Sequence, residues 1–274
     1  MTVPGPGATW QPAPGAASGA IWDGYATWWK ATFTGGADVE YELEILPLVA
    51  REMAGCRRIL DVGCGEGQVA RHLAAVLDGP ELVGVDPSRA QLANARAAGG
   101  PVAYVQAAGE LLPFAAASFD GILCSLAIEH VEDGDALLGE VARVLAPGGT
   151  FLLLVNHPLY QGTGSGLVDD QILGERYWRV GPYLAEAVTV EEVDPGVAIP
   201  FAHRPLSRYL NPLAEHDLLC TRMLEPRPLA AFLATSVAPE LEAAIPRLLA
   251  MRFEHRPALR TGRRVGRRAG AKMR

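Results

Sequence analysis

The sequence predicts an α/β protein built on a doubly wound, mostly parallel sheet with helices on both faces. Three observations carry that prediction. Between Arg57 and Asn156, short apolar runs of strand length alternate with segments whose apolar residues recur at helical spacing. A glycine-rich turn joins the first of these strands to its helix. Of the 274 residues, 49% are hydrophobic and 20% charged, which is ample material for a sheet buried on both sides.

Residues 1–19 carry Pro4, Pro6, Pro12 and Pro14 among glycines, a composition too poor in large apolar side chains to order itself. A helix is expected over Ile21–Thr32. A second runs from Asp38, a good N-cap, toward Met53 with a kink at Pro47. Arg58–Val62 reads as the first buried strand. Gln68–Leu77 follows as a helix, because Val69, Leu73, Val76 and Leu77 share one face. Glu81–Val85 is the second strand, and Ser88 caps a helix to about Ala98. Val102–Val105 and Phe119–Ser125 are the third and fourth strands. Ala136–Leu145 is a helix that turns Leu137, Leu138, Val141, Val144 and Leu145 inward. Pro147-Gly148-Gly149 then leads into a fifth strand, Thr150–Val155.

Beyond that point the pattern loosens. Leu159–Asp170 is Gly-rich and loop-like. Val188–Val193 and Gly196–Phe201 are expected to pair around Asp194-Pro195-Gly196. A helix bearing Leu206, Tyr209, Leu210 and Leu213 precedes a strand near Leu218–Leu224, and a last helix is expected from Leu241 to Phe253. The chain thus divides into a disordered N-terminal segment (1–19), a single domain (20–255) and a basic, flexible tail (256–274).

Composition excludes several classes. Cys56, Cys64, Cys124 and Cys220 form no CxxC pair, which suits a reducing cytoplasm. Apolar runs such as Thr150–Val155 fall far short of the ~18 residues of a membrane span, and no secretory signal is recognisable at the N-terminus. The net charge is −7, yet residues 256–274 alone contribute +8, so the preceding chain carries −15. That excess argues against a body that grips a phosphate backbone. The tail reads as a frayed Gly/Arg terminus, with weak nucleic-acid attraction as the alternative. His72, His130, His157, His203, His216 and His255 show no metal-ligand spacing, and no metal is expected.

The segment Ile59-Leu60-Asp61-Val62-Gly63-Cys64-Gly65-Glu66-Gly67-Gln68 joins the first strand to its helix. Its alternating glycines let the backbone pass close beneath a ligand at the carboxyl edge of the sheet. Gly65 to Ala70 also fits the dinucleotide fingerprint GxGxxA, with Asp86 about 20 residues on, where a ribose-binding acid belongs. The neighbours discriminate. Asp61-Val62-Gly63-Cys64-Gly65-Glu66-Gly67 resembles the first motif of class I S-adenosylmethionine-dependent methyltransferases, in the small-molecule, natural-product branch. Val83-Gly84-Val85-Asp86, then Leu112-Pro113-Phe114 with Ser118-Phe119-Asp120 and Glu129-His130-Val131, then Arg143-Val144-Leu145-Ala146-Pro147-Gly148-Gly149, resemble later motifs in the same order. The likeness covers roughly residues 57–156.

That resemblance implies a Rossmann-like sheet of seven strands, with S-adenosyl-L-methionine as cofactor and S-adenosyl-L-homocysteine as product. It implies that Asp86 accepts both ribose hydroxyls, with Pro87 beside it in the site, and that Gly63 and Gly65 clear space for the ligand. Cys64 is a small loop residue. Asp61 orients the loop or the ligand's ammonium group, or else caps local backbone amides. Ser125 and Leu126 lie beneath the sulfonium. One position departs from the family pattern. The acid that meets the adenine amine is replaced by Ala108, which leaves the backbone at Ala108 and Gly109, or Glu110, to do that work; a solvated surface glutamate is the other reading of Glu110.

Methyl transfer from a sulfonium is an in-line displacement, in which alignment and exclusion of water supply roughly 7–11 kcal/mol. A general base is needed only if the acceptor loses a proton on attack. Small-molecule members of the family cover the site with an N-terminal helical lid and an insertion after the fifth strand. Residues 20–54 and 157–204 are the corresponding candidates. Trp22, Tyr25, Trp28, Trp29 and Phe33 mark the lid, although their spacing equally fits plain helix packing. Tyr160, Tyr177, Trp178, Tyr183 and Phe201 mark the insertion. Tyr25, Trp29, Tyr160, Trp178 and Tyr183 are the expected walls of a chamber for a planar or apolar acceptor, in a monomer or homodimer. His157 is the expected acid–base group, since Pro158 holds it extended and its unperturbed pKa is about 6.5. His203 competes, and loop-shaping is the alternative for both. The expected function is O-, N- or C-methylation in specialised metabolism. An NAD(P)-dependent oxidoreductase, a nucleic-acid methyltransferase and a non-catalytic cofactor-binding regulator are the rival readings.

Overall fold

The computed structural model describes residues 17–256. The expectations for residues 1–16 and 257–274 lie outside the described residues. Helix α1 (Ala17–Phe33) opens the structure, so residues 17–19 are helical rather than part of a disordered segment. A single π-turn (Tyr41–Ile45) runs straight into α2 (Leu46–Glu52). Asp38 caps this stretch as expected by accepting from the Tyr41 amide at 2.8 Å. Pro47 sits in the first turn of α2, where its missing N–H is not needed.

The core strands and helices then alternate: β1 (Arg58–Val62), α3 (Gln68–Val76), β2 (Glu81–Asp86), α4 (Arg89–Ala98), β3 (Val102–Gln106), β4 (Phe119–Ser125), α5 (Gly134–Val144) and β5 (Leu145–Asn156). Two antiparallel hairpins follow, β6 (Gly166–Asp170) with β7 (Glu175–Arg179) and β8 (Ala187–Asp194) with β9 (Val197–His203). Helix α6 (Ser207–Glu215), β10 (Leu218–Leu224) and β11 (Leu248–His255) complete the fold. The seven-stranded sheet has the order β3-β2-β1-β4-β5-β11-β10, parallel except around β11, which runs antiparallel to both β5 and β10. No described helix is long and apolar enough to cross a membrane.

Alternation along the strands splits the core into two layers. Leu60, Val62, Val83 and Val85 pack toward Leu137, Val141 and Leu213 from α5 and α6. Ile59 and Leu82 face the other way, toward Val49, Val69 and Leu73 from α2 and α3, with Trp29 and Phe33 of α1 at the margin. Each fully buried aliphatic side chain contributes about 1.5–3 kcal/mol relative to exposure. Register then sets the site. Val62 pairs with Val85 and with Cys124, so the residues immediately after them, Gly63, Asp86 and Ser125, emerge along one carboxyl edge.

Two elements differ from expectation. Gly166–Asp170, expected to be loop, pairs with Glu175–Arg179 as a hairpin. Leu248–His255, expected to be helix, is the last strand; Leu248, Leu249, Ala250 and Met251 are all buried, and the strand pairs with β5 from Leu248 and with β10 from Ala250. A short run apolar on both faces does not distinguish helix from strand by periodicity, and the central sheet position overrides the helix preference of Leu, Ala and Met.

Candidate active site

The glycine loop folds over the end of β2. The amides of Gly63 and Cys64 both donate to the Val85 carbonyl, at 2.9 and 3.0 Å, and the Gly67 amide donates to the Cys64 carbonyl at 2.8 Å. Asp86 ties the loop to the next helix. One carboxylate oxygen accepts from the Gly65 amide and the other from the Ser88 amide, each at 2.8 Å. Both oxygens keep a further lone pair for a ligand donor. Gly65 has φ +53°, and a Cβ built there would meet nothing within 4 Å, so the loop leaves open space where the ligand must lie.

Asp61 is 2% exposed, and its Oδ2 has no partner among the described residues. Burial and the nearby Asp86 carboxylate push its carboxyl up to about 7. Burial likewise raises Asp86 to about 6, opposed by its bonds from Ser88 and Gly65. Glu66, also buried, is held by Arg71 at 2.5 Å and by the Thr34 hydroxyl at 3.2 Å.

These groups open onto a cavity of about 410 Å³. Asp61, Gly63, Cys64, Gly65, Asp86, Pro87, Ala108, Gly109, Ser125 and Leu126 all line it, as do Glu110 and, from the lid, Trp29. The remaining expected residues lie elsewhere. The Tyr25 hydroxyl accepts from the Ala198 amide at 3.2 Å, joining α1 to β9. Tyr160 stacks on Trp178 with ring centroids 5.0 Å apart, and the Trp178 indole donates to the Leu159 carbonyl. The Tyr183 hydroxyl accepts from the Leu206 amide. The insertion's aromatics therefore knit the insertion together, and Tyr25, Tyr160, Trp178 and Tyr183 are not walls of this cavity.

The two expected acid–base histidines are corrected in the same way. His157 is buried, its Nδ1 accepts from the Leu159 amide at 3.1 Å, and its Nε2 meets Glu225 at 3.0 Å. Both ring nitrogens are engaged away from the cavity. His203 Nε2 donates to the Tyr183 carbonyl at 2.8 Å, and its ring borders a separate void of only about 10 Å³.

The cavity histidine is instead His130, in the turn after β4. Its Nδ1 donates to the Pro200 carbonyl at 2.8 Å, and its ring meets Trp22 edge-on at 5.0 Å. Burial pushes its pKa down to about 4, so the ring is neutral at ordinary pH, with Nε2 as an acceptor. Trp22 and Tyr41 complete the lid side of the cavity. Their sequence signals were thin: Trp22 and Trp29 are seven residues apart on one helix face, and His130 lies in a motif that marks a strand end.

The side chains present fit a cationic cofactor better than a dinucleotide. Among the described residues, the cavity lining includes Asp61, Glu66, Asp86, Glu110 and Glu132 and no arginine or lysine. The orphaned Asp61 oxygen matches an ammonium, which a dinucleotide does not carry at this position.

Comparison with known proteins agrees. Residues 60–153 match the methyltransferase-domain family. A ubiquinone/menaquinone biosynthesis C-methyltransferase of Syntrophotalea carbinolica is 40% identical over 106 residues, 37% of this chain and 45% of that protein. A demethylmenaquinone methyltransferase of Thermus thermophilus is 34% identical over 131 residues, 46% of this chain and 59% of that one. The chain thus spans about half the length of the curated relatives it matches. The crystal structure of an S-adenosylmethionine-dependent methyltransferase from Mesorhizobium loti is 30% identical, with a TM-score of 0.63, and the match covers 78% of this chain and 97% of that one. With the sheet order, the glycine loop and this likeness over nearly all of a solved relative in agreement, the chain belongs to the class I S-adenosylmethionine-dependent methyltransferases.

Proposed function

We propose that the protein transfers the methyl group of S-adenosylmethionine to a small, apolar metabolite of aromatic or heterocyclic character. One observation carries this reading. One cavity of about 410 Å³ brings the buried Asp61 carboxylate, whose Oδ2 has no partner among the described residues, together with the rings of Trp22, Trp29 and Tyr41. Its volume lies in the lower part of the roughly 300–1,000 Å³ range of small-molecule sites. That supports an acceptor of modest size and speaks against a folded nucleic acid.

When bound, the cofactor supplies an electrophilic methyl on a sulfonium. The chain's own residues bind and orient. The free lone pairs of Asp86 accept ribose hydroxyls, and Asp61 Oδ2 accepts from the ammonium. The backbone at Ala108 and Gly109 borders the adenine, with Glu110 on the same cavity wall. Trp22 and Trp29 on α1 exclude water from the acceptor side. A place in specialised metabolism is supported by what surrounds the matched core. The lid and both hairpins fall outside residues 60–153, the part that matches the methyltransferase-domain family.

Calorimetry with S-adenosylhomocysteine and, separately, NAD tests the cofactor. Homocysteine-type binding without NAD binding is expected, and the reverse would overturn the reading. Incubation with S-adenosylmethionine and a metabolite extract, followed by mass spectrometry for a product heavier by one CH2, identifies the acceptor.

A further inference from the structure

Resting on the cofactor assignment in that reading, we infer that Gln91 reads the adenine base, its side-chain amide pairing with the exocyclic amine and a ring nitrogen. Gln91 is 2% exposed and lines the large cavity. Its Oε1 is buried without a partner, and its Nε2 makes no hydrogen bond among the described residues. A buried amide left unpaired is costly, and a methionine or leucine would fill the same helical position without that cost. The amide is kept for a partner that the described chain does not supply.

Local structure sets this amide beside the ribose acid. Asp86 Oδ1 accepts from the Ser88 amide at 2.8 Å, and the Ser88 hydroxyl caps α4 by accepting from the Gln91 amide at 3.1 Å. Gln91 therefore stands in the first turn of α4, three residues beyond the cap. From the other side, Asp86 pairs in register with Gln106 at the end of β3, and the Ala107 amide donates to the Asp86 carbonyl at 3.2 Å. The ends of β2 and β3 and the start of α4 thus bring Pro87, Gln91, Ala108 and Gly109 into the same lining as Asp86.

Chemistry selects the base over the sugar. Each Asp86 oxygen retains a lone pair, so both ribose hydroxyls already have acceptors. The adenine amine is a donor only, and Ala108 offers it no side-chain acceptor. A carboxamide matches a purine edge: its oxygen accepts from the amine while its NH2 donates to the neighbouring ring nitrogen, the pairing by which glutamine picks out adenine. Its last torsion is broad and two-fold, so either end turns readily toward a ligand. Glu110, on the same cavity, accepts but cannot donate when ionised, and it interacts with the charges of Asp133, Glu132 and Arg204. Gln91 has no such competing partner among the described residues.

The test is a double-mutant cycle on the full chain, read by calorimetry with S-adenosylhomocysteine, its analogue lacking the exocyclic amine and its analogue lacking the 2′-hydroxyl. In the native protein the amine should be worth about fivefold or more in affinity. Gln91→Met keeps the length and removes donor and acceptor. It should bind S-adenosylhomocysteine about three- to tenfold more weakly and shrink the amine's worth to about twofold or less. Gln91→Asn draws the amide back by one methylene and should lose the same preference. Without ligand, Gln91→Met should melt no lower than the native protein, because it removes an unpaired buried amide. An amide that served packing alone would instead melt lower on replacement and leave the amine preference intact. That result would overturn the assignment. So would a lost preference confined to the 2′-hydroxyl, or one produced by Glu110→Ala and not by Gln91→Met. The native titration is read first and separates the two ideas. If S-adenosylhomocysteine does not bind, the methyltransferase reading falls; if it binds and neither variant changes the amine preference, only the role of Gln91 is lost.

Discussion

Replacing Asp61 with asparagine should strengthen the fold and weaken the site. The carboxylate is buried, one oxygen is unpartnered, and burial with the neighbouring Asp86 raises its pKa from 3.8 to about 7. For an acid shifted upward on folding, the penalty is absent below the unfolded value. It grows as pH rises from 3.8 to about 7 and is full above that. At about 1.36 kcal/mol per pH unit, the ceiling is about 4 kcal/mol at pH 8. Relaxation and the new amide's own need for an acceptor reduce this to about 1–3 kcal/mol. Asparagine keeps an oxygen for the Ala70 amide that the native carboxylate accepts from. Urea unfolding of the ligand-free protein should therefore show the variant more stable at pH 8 and equal to the native protein near pH 4. Calorimetry at pH 8 should show S-adenosylhomocysteine affinity reduced about ten- to a hundredfold, the loss of one charged partner. A variant less stable at pH 8, or one that binds with undiminished affinity, would refute the assignment of Asp61 to the ligand's ammonium.

Asp86→Ala removes the acceptor for the Gly65 and Ser88 amides as well as the ribose contact. Homocysteine affinity should fall at least about tenfold and stability by about 1–3 kcal/mol, measured by calorimetry and urea melts; full affinity would contradict the ribose role. His157→Ala should cost about 1–3 kcal/mol of stability by orphaning the Leu159 amide, yet leave homocysteine affinity within about twofold. A tenfold loss of affinity in a folded variant would return this histidine to the active site. Gly67→Ala places a methyl 2.2 Å from the Tyr104 hydroxyl at φ +80° and should cost about 2 kcal/mol or more in thermal unfolding. Adding Tyr104→Phe should recover part of that loss, and no recovery would place the cost in the ring carbons at 2.8 Å and the backbone rather than in the hydroxyl.

The cofactor half was legible because its signals are local. Val62 to Gln68 specify strand, turn and helix within a few residues, and parallel pairing then carries Asp86 and Ser125 to the same edge. The acceptor half was not, because its partners are distant in sequence. Trp22 of α1 meets His130 in the turn after β4, and His157 finds Glu225 sixty-eight residues away. Aromatic content marked the insertion as unusual but did not reveal that Tyr160 and Trp178 would satisfy each other. The β11 segment misled for a different reason. Leu-Leu-Ala-Met favours a helix locally, and only the vacancy between β5 and β10 makes it a strand.

That same strand has a consequence for how the polypeptide is born. β10 precedes β11 in the chain yet lies outside it, so during synthesis the growing sheet cannot close from the centre outward. The long edge of β5, buried from Thr150 to Val155 in the finished protein, waits uncovered until residues 248–255 clear the ribosome. A nascent chain arrested before Leu248 presents that edge, together with an orphaned β10, to any neighbour able to add a strand. The arrival of eight residues closes that open template.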